Sequence, residues 1–115
     1  MPITIYHNPK CSKSRQTLQL LQQNSITPTI IEYLKTPPTA DTLKAILGQL
    51  GLAPRDLMRR KEDLYAELGL DNSSLSDDDL IDFMVAHPIL IERPIVLANG
   101  KAALGRPPEQ VLDIL

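Results

Sequence analysis

The sequence predicts an α/β fold, a mixed four-stranded sheet carrying helices and interrupted by a helical insertion. Three features predict it. Two β-branched runs, 3–6 and 29–34, bracket a stretch of helical periodicity. A second pair of apolar runs flanks the turn dipeptide Asn99-Gly100. Between these halves the apolar residues recur at helical spacing.

Taken in order, Ile3-Thr4-Ile5-Tyr6 alternates apolar and polar residues and predicts the first strand. His7-Asn8-Pro9-Lys10 breaks it and Cys11 follows. From Ser14 the pattern is helical, with Leu18, Leu20 and Leu21 on the apolar side and Asn24-Ser25 as a stop signal. The run 29–34 predicts a second strand. Thr36-Pro37-Pro38-Thr39 is a turn, and Thr39 is placed to cap a helix in which Leu43, Ile46, Leu47 and Leu50 follow i, i+3, i+4, i+7. Gly51 stands where a left-handed cap is expected. A polar helical stretch is expected from Pro54 to about Glu67.

Ser76-x-x-Asp79 resembles a capping box, with Leu80, Ile81, Met84 and Val85 as the apolar face behind it, and Pro88 ends that helix. The runs 94–97 and 101–104 form a hairpin, because both central positions of an Asn-Gly turn take φ > 0. Pro107-Pro108 opens a last helix with Val111, Leu112 and Ile114 turned inward. The first crossover implies a parallel pair and the hairpin an antiparallel one. The resulting order, βαβα, helical insert, ββα, is the thioredoxin order with extra helices between its halves. Residues 1–115 are expected to form one thioredoxin-like domain, with the insert at about 39–88.

The composition excludes several classes. At 115 residues the chain holds one core, and with only 3% aromatics that core is built from aliphatic side chains. A net charge of −2 gives no basic field for nucleic acid. No apolar run approaches the roughly 18 residues that a bilayer span requires. Met1-Pro2-Ile3-Thr4 lacks the charged and apolar regions of a secretory leader. One cysteine excludes an internal disulfide, and with two histidines it shows no zinc spacing, so no metal is expected. A reducing, cytoplasmic setting is the expectation.

The chemistry centres on Cys11, at a strand-to-helix junction. Unpaired backbone N–H groups at a helix start favour thiolate over thiol and attract anions. His7 and Lys10 can add positive charge, and Arg15 lies one turn into the helix. The alternative is a buried structural cysteine. Ser14 occupies the place of the second cysteine in a C-x-x-C motif, so an external thiol has to resolve Cys11. The C-x5-R spacing of a tyrosine phosphatase loop fails, because Thr17 stands where the arginine belongs. A G-x-x-x-x-G-K-[ST] phosphate loop is absent.

Cations come from distant segments. Arg93 precedes Pro94 at the start of a strand, where a cis bond beside the thiol is expected. Arg106 follows the hairpin, and Arg59, Arg60 and Lys61 lie in the insert. Guanidinium groups bind oxyanions through paired donors and keep their charge at neutral pH. Each arginine alone also reads as a solvated surface side chain, and His87 as the polar end of a helix.

These residues resemble a family. Ile5-Tyr6-His7-Asn8-Pro9-x-Cys11-x-x-Ser14-Arg15, Tyr33-Leu34-x-Thr36-Pro37-Pro38, Glu67-Leu68-Gly69-Leu70, His87-Pro88-Ile89-Leu90-Ile91-x-Arg93-Pro94-Ile95-Val96 and Arg106-Pro107 are similar to the ArsC-type, glutaredoxin-coupled arsenate reductases. The resemblance spans the chain and is nearest a shorter branch of housekeeping homologues. It implies that Cys11 is the nucleophile, that His7 helps keep it as thiolate, and that Arg59, Arg93 and Arg106 bind arsenate or a similar oxyanion. Arg60, beside Arg59, is the other candidate for that place. The implied partners are glutathione as co-substrate and glutaredoxin, with no bound cofactor. The resistance enzymes carry Cys-Gly-Thr-Ser-Arg where this chain has Cys11-Ser12-Lys13-Ser14-Arg15, and a C-terminal extension beyond its Leu115.

Two other functions fit the residues. A general thiol-disulfide or deglutathionylating enzyme needs Cys11 but not all three arginines. A thioredoxin-fold regulator that binds RNA polymerase needs neither, although such proteins usually carry C-x-x-C or lack the arginines.

Overall fold

A computed structural model describes residues 3–115. Met1 and Pro2, on which part of the leader expectation rests, lie outside the described residues. The chain divides into two compact units. One runs to Thr36 and resumes over Arg93–Leu115; the other is Pro37–Glu92.

The first unit holds a four-stranded mixed sheet among the described residues, in the order β2-β1-β3-β4. The strands are β1 (Thr4–His7), β2 (Thr29–Glu32), β3 (Ile95–Ala98) and β4 (Lys101–Leu104). β1 pairs parallel with β2 and antiparallel with β3, and β3 pairs antiparallel with β4. The parallel pair and the hairpin are those the sequence predicts. Asn99 and Gly100 both take positive φ, 55° and 74°. β2 is shorter than expected, because the chain turns after Glu32, where the Lys35 and Thr36 amides both donate to the Glu32 carbonyl.

Helix α1 (Ser12–Gln23) connects β1 and β2. Its Leu21 joins Ile5, Val96 and Val111 in a fully buried cluster, flanked by Leu18, Leu20, Ile26, Ala103 and Ile114. The C-terminal segment Pro108–Ile114 completes this layer as a 3-10 helix rather than an α-helix. With three residues per turn, Pro108, Val111 and Ile114 share one face. Pro108 and Val111 are buried, while Leu112, expected inside, is 40% exposed.

In the second unit, α2 (Ala40–Leu50) is capped as expected: the Thr39 hydroxyl accepts from the Thr42 amide, and Gly51 closes the helix at φ 68°. α4 (Asp77–Ala86) has both bonds of its capping box, Ser76 with Asp79, and its Leu80, Ile81 and Met84 are buried. The expected helix over 54–67 is broken. Pro54–Leu57 forms a 3-10 turn, Met58 pairs with Ile91 in an isolated bridge, and only α3 (Asp63–Glu67) is helical. Backbone bonds from Arg59 to Leu90 and from Glu92 to Leu57 hold this stretch extended. Arg55 organises it, donating to the Tyr65 hydroxyl and to the carbonyls of Leu70 and Asn72.

Candidate active site

The site grows from the C-terminal end of β1. Strand alignment sets its breadth. His7 pairs with Glu32, Tyr6 with Ile95, and Ile95 with Leu104. Just beyond these pairs stand Asn8, Tyr33, Arg93 and Arg106, a row of residues at the same end of the sheet. Two bonds keep the row closed beyond the strands: Gly105 amide to Pro94 carbonyl at 3.0 Å, and Arg106 Nε to Arg93 carbonyl at 2.8 Å. The Arg93–Pro94 peptide is cis, as the sequence suggests, and so is Arg106–Pro107.

Asn8 shapes the loop that delivers the cysteine. Its Oδ1 accepts from the Lys10 amide at 3.0 Å, its carbonyl accepts from the Cys11 amide at 3.0 Å, and its own amide donates to Ser14 Oγ at 3.0 Å. Arg15 braces the same loop through Nη1 to the Pro9 carbonyl. Cys11 is thereby placed at the N-cap of α1 with extended backbone.

The thiol is 8% exposed, but polar groups surround it. Burial raises its pKa. The backbone N–H groups of Ser14 and Lys13 and the Arg93 guanidinium oppose burial and win, so the net shift is downward, toward thiolate. Neither N–H closes a capping hydrogen bond to Sγ, so their pull is that of oriented dipoles. Arg106 Nη2 stands 3.9 Å from the sulfur.

His7 does not add the positive charge that the sequence allows it. Burial holds its imidazole below the ordinary value; Glu32 opposes this and Arg15 reinforces it. Its Nδ1 lies 2.7 Å from Ser14 Oγ, and Ser14 is fully buried. His7, Ser14 and Asn8 therefore form a neutral network under the first turn of α1.

Of the other expected residues, Pro94 is buried in the row beside His7. Arg59 belongs to the second unit, where it pairs with Glu62 at 2.6 Å and Glu92 at 3.7 Å. Arg60 forms an exposed ion pair with Asp56. The structure thus brings Cys11, Ser14, Arg93 and Arg106 together within one unit.

Asn8, Tyr33, Thr17 and Gly105 were not singled out as site residues by sequence reasoning. The Asn8-Pro9 dipeptide, a turn former, was the available signal for the first. Thr17 is fully buried and donates to the Lys13 carbonyl at 2.8 Å. A Cβ on Gly105 would meet the Thr17 side chain and approach Pro94 Cγ at 2.7 Å. Position 17 is thus closely packed and fully buried, not a place that opens on the thiol loop as a phosphatase-like arginine would need.

The mixed sheet, the cysteine at a helix start and the arginines gathered beside it place the chain in the class of thioredoxin-like α/β proteins. The ArsC family model matches residues 6–114, and the chain belongs to the ArsC family. The uncharacterised protein YfgD of Escherichia coli K12 is 59% identical over 98% of this chain and 96% of its own length. An arsenate reductase of Neisseria meningitidis serogroup A is 54% identical over 98% of this chain and 97% of its own. The solved arsenate reductase from Vibrio cholerae is 59% identical, with a TM-score of 0.98 covering 100% of this chain and 98% of that one.

Proposed function

We propose that this protein is an arsenate reductase in which Cys11 forms a thiol-arsenate adduct that glutathione and glutaredoxin resolve, in a reducing cytoplasm. One observation carries the reading: a single sulfur, lowered in pKa, set between helix N–H groups and the guanidinium groups of Arg93 and Arg106. The names of the relatives supply the substrate.

A thiolate and an arsenate anion repel each other, so the arginines are needed to hold both at bonding distance. The Cys11 sulfur attacks arsenic(V), an As–O bond breaks, and that oxygen, protonated from arsenate hydroxyls and solvent, leaves as water. Arsenic remains at +5 in the adduct. The glutathione thiol then attacks the Cys11 sulfur, the S–As bond breaks with its electron pair left on arsenic, arsenite departs, and the two thiols end as one disulfide, which glutaredoxin reduces. The second thiol comes from outside because the chain has one cysteine and Ser14 fills the C-x-x-C position. Arg59 is proposed as a third oxyanion cation. His7 is proposed to act through Ser14, orienting the first turn of α1, rather than by charge.

The test is arsenite release by the purified protein with arsenate, glutathione and glutaredoxin. Turnover that Cys11→Ser abolishes is the expected result. Failure of the wild type to exceed the uncatalysed rate, alongside rapid deglutathionylation of a glutathionylated peptide, would replace this function with the general thiol-disulfide one.

A further inference from the structure

We propose that the Tyr33 hydroxyl is a hydrogen-bond donor to the oxyanion held at Cys11; this rests on the oxyanion reading above and adds a residue to it. Tyr33 is 1% exposed, and its hydroxyl has no hydrogen-bond partner at full geometry among the described residues. A buried phenol nearly always has a partner, and an orphaned one marks a place where a polar group is expected to bind. The orphan lies at the site rather than in the core. Tyr33 directly follows Glu32, the last paired residue of β2, whose partner His7 ends β1 and leads into Asn8. Asn8, Arg93 and Cys11 are also the polar groups that act on the hydroxyl.

None of those neighbours hydrogen-bonds the hydroxyl: Arg93 only donates, and Asn8 Oδ1 and Cys11 Sγ, which could accept, make no bond to it. The ionised oxygens of an oxyanion are acceptors, so they suit both Arg93 and the phenol. Burial raises the Tyr33 pKa, so the group stays neutral and donating while the thiol beside it is driven toward thiolate. Tyr33 therefore contributes a proton-bearing contact without adding negative charge to a site that has to attract an anion.

The experiment compares wild type with Tyr33→Phe, which keeps the ring. Alkylation of Cys11 by iodoacetamide is measured against arsenate and, separately, inorganic phosphate, with the thermal midpoint and steady-state arsenate turnover. The expected result is a roughly ten-fold rise in the arsenate concentration that half-protects Cys11. A matching loss in kcat/KM and an unchanged or higher thermal midpoint are expected with it. Equal protection in the two proteins overturns the role of Tyr33 while leaving the oxyanion site standing. A clear fall in the thermal midpoint overturns it too, since it would make the hydroxyl a structural bond. A wild type that no oxyanion protects overturns the site itself.

Discussion

At the scale of single residues, reactivity is set by opposing effects on one sulfur. Burial pushes the Cys11 thiol up, and the α1 backbone with Arg93 pulls it further down. The pH at which iodoacetamide alkylation reaches half its maximum is expected below that of an ordinary thiol. Arg93→Ala is expected to move it back up, and an unmoved midpoint would remove Arg93 from the ionisation of Cys11. His7 gives a second pH effect. Its folded-state pKa lies below 6.5, so the unfolded chain takes up a proton first as pH falls. The contribution of the neutral imidazole is fully present above 6.5 and is lost as pH falls through the depressed folded value. The thermal midpoint of the wild type, followed from neutral to about pH 5, is expected to fall further than that of His7→Gln. Parallel curves would contradict the burial argument. Cys11, Arg93 and Arg106 were legible in the sequence because a lone cysteine before a helix and arginines clamped by proline stand out locally. Asn8, signalled only as a turn former, and Tyr33 were less so, because the loop bonds of the first and the buried, unpartnered hydroxyl of the second appear only in the folded chain.

At the scale of elements, the legible parts were those whose signals are local. The Thr39 and Ser76 caps, the Gly51 stop and the Asn99-Gly100 turn depend on residues within a few positions of one another, and each appears where expected. Ser76→Ala removes one side of a closed capping box and is expected to cost about 1 kcal/mol in denaturant unfolding. No measurable change would mean that water replaces the cap without loss. The stretch 54–67 was misread because its partners are remote. Met58 pairs with Ile91 and Arg55 gathers Tyr65, Leu70 and Asn72, so tertiary bonds override a helical composition. The C-terminal segment was misread in period: repeats of three, not 3.6, send Leu112 outward.

At the scale of the whole molecule, the order of elements was legible, because an α-helical crossover and an Asn-Gly hairpin leave few ways to order four strands. Close packing between remote segments was not. Gly105 touches Thr17 and Pro94 so closely that Gly105→Ala forces one of them to move. A loss of about 1–3 kcal/mol is expected in equilibrium unfolding, partly recovered by adding Thr17→Ala. A neutral Gly105→Ala would show that the contact yields freely.

The Arg106 guanidinium, 3.9 Å from the sulfur, lies 95 positions later in the chain. During synthesis the cysteine emerges long before Arg93 and Arg106, with only the N–H groups of α1 at hand to favour its thiolate, and the share that Arg93 supplies arrives when β3 and β4 dock beside β1.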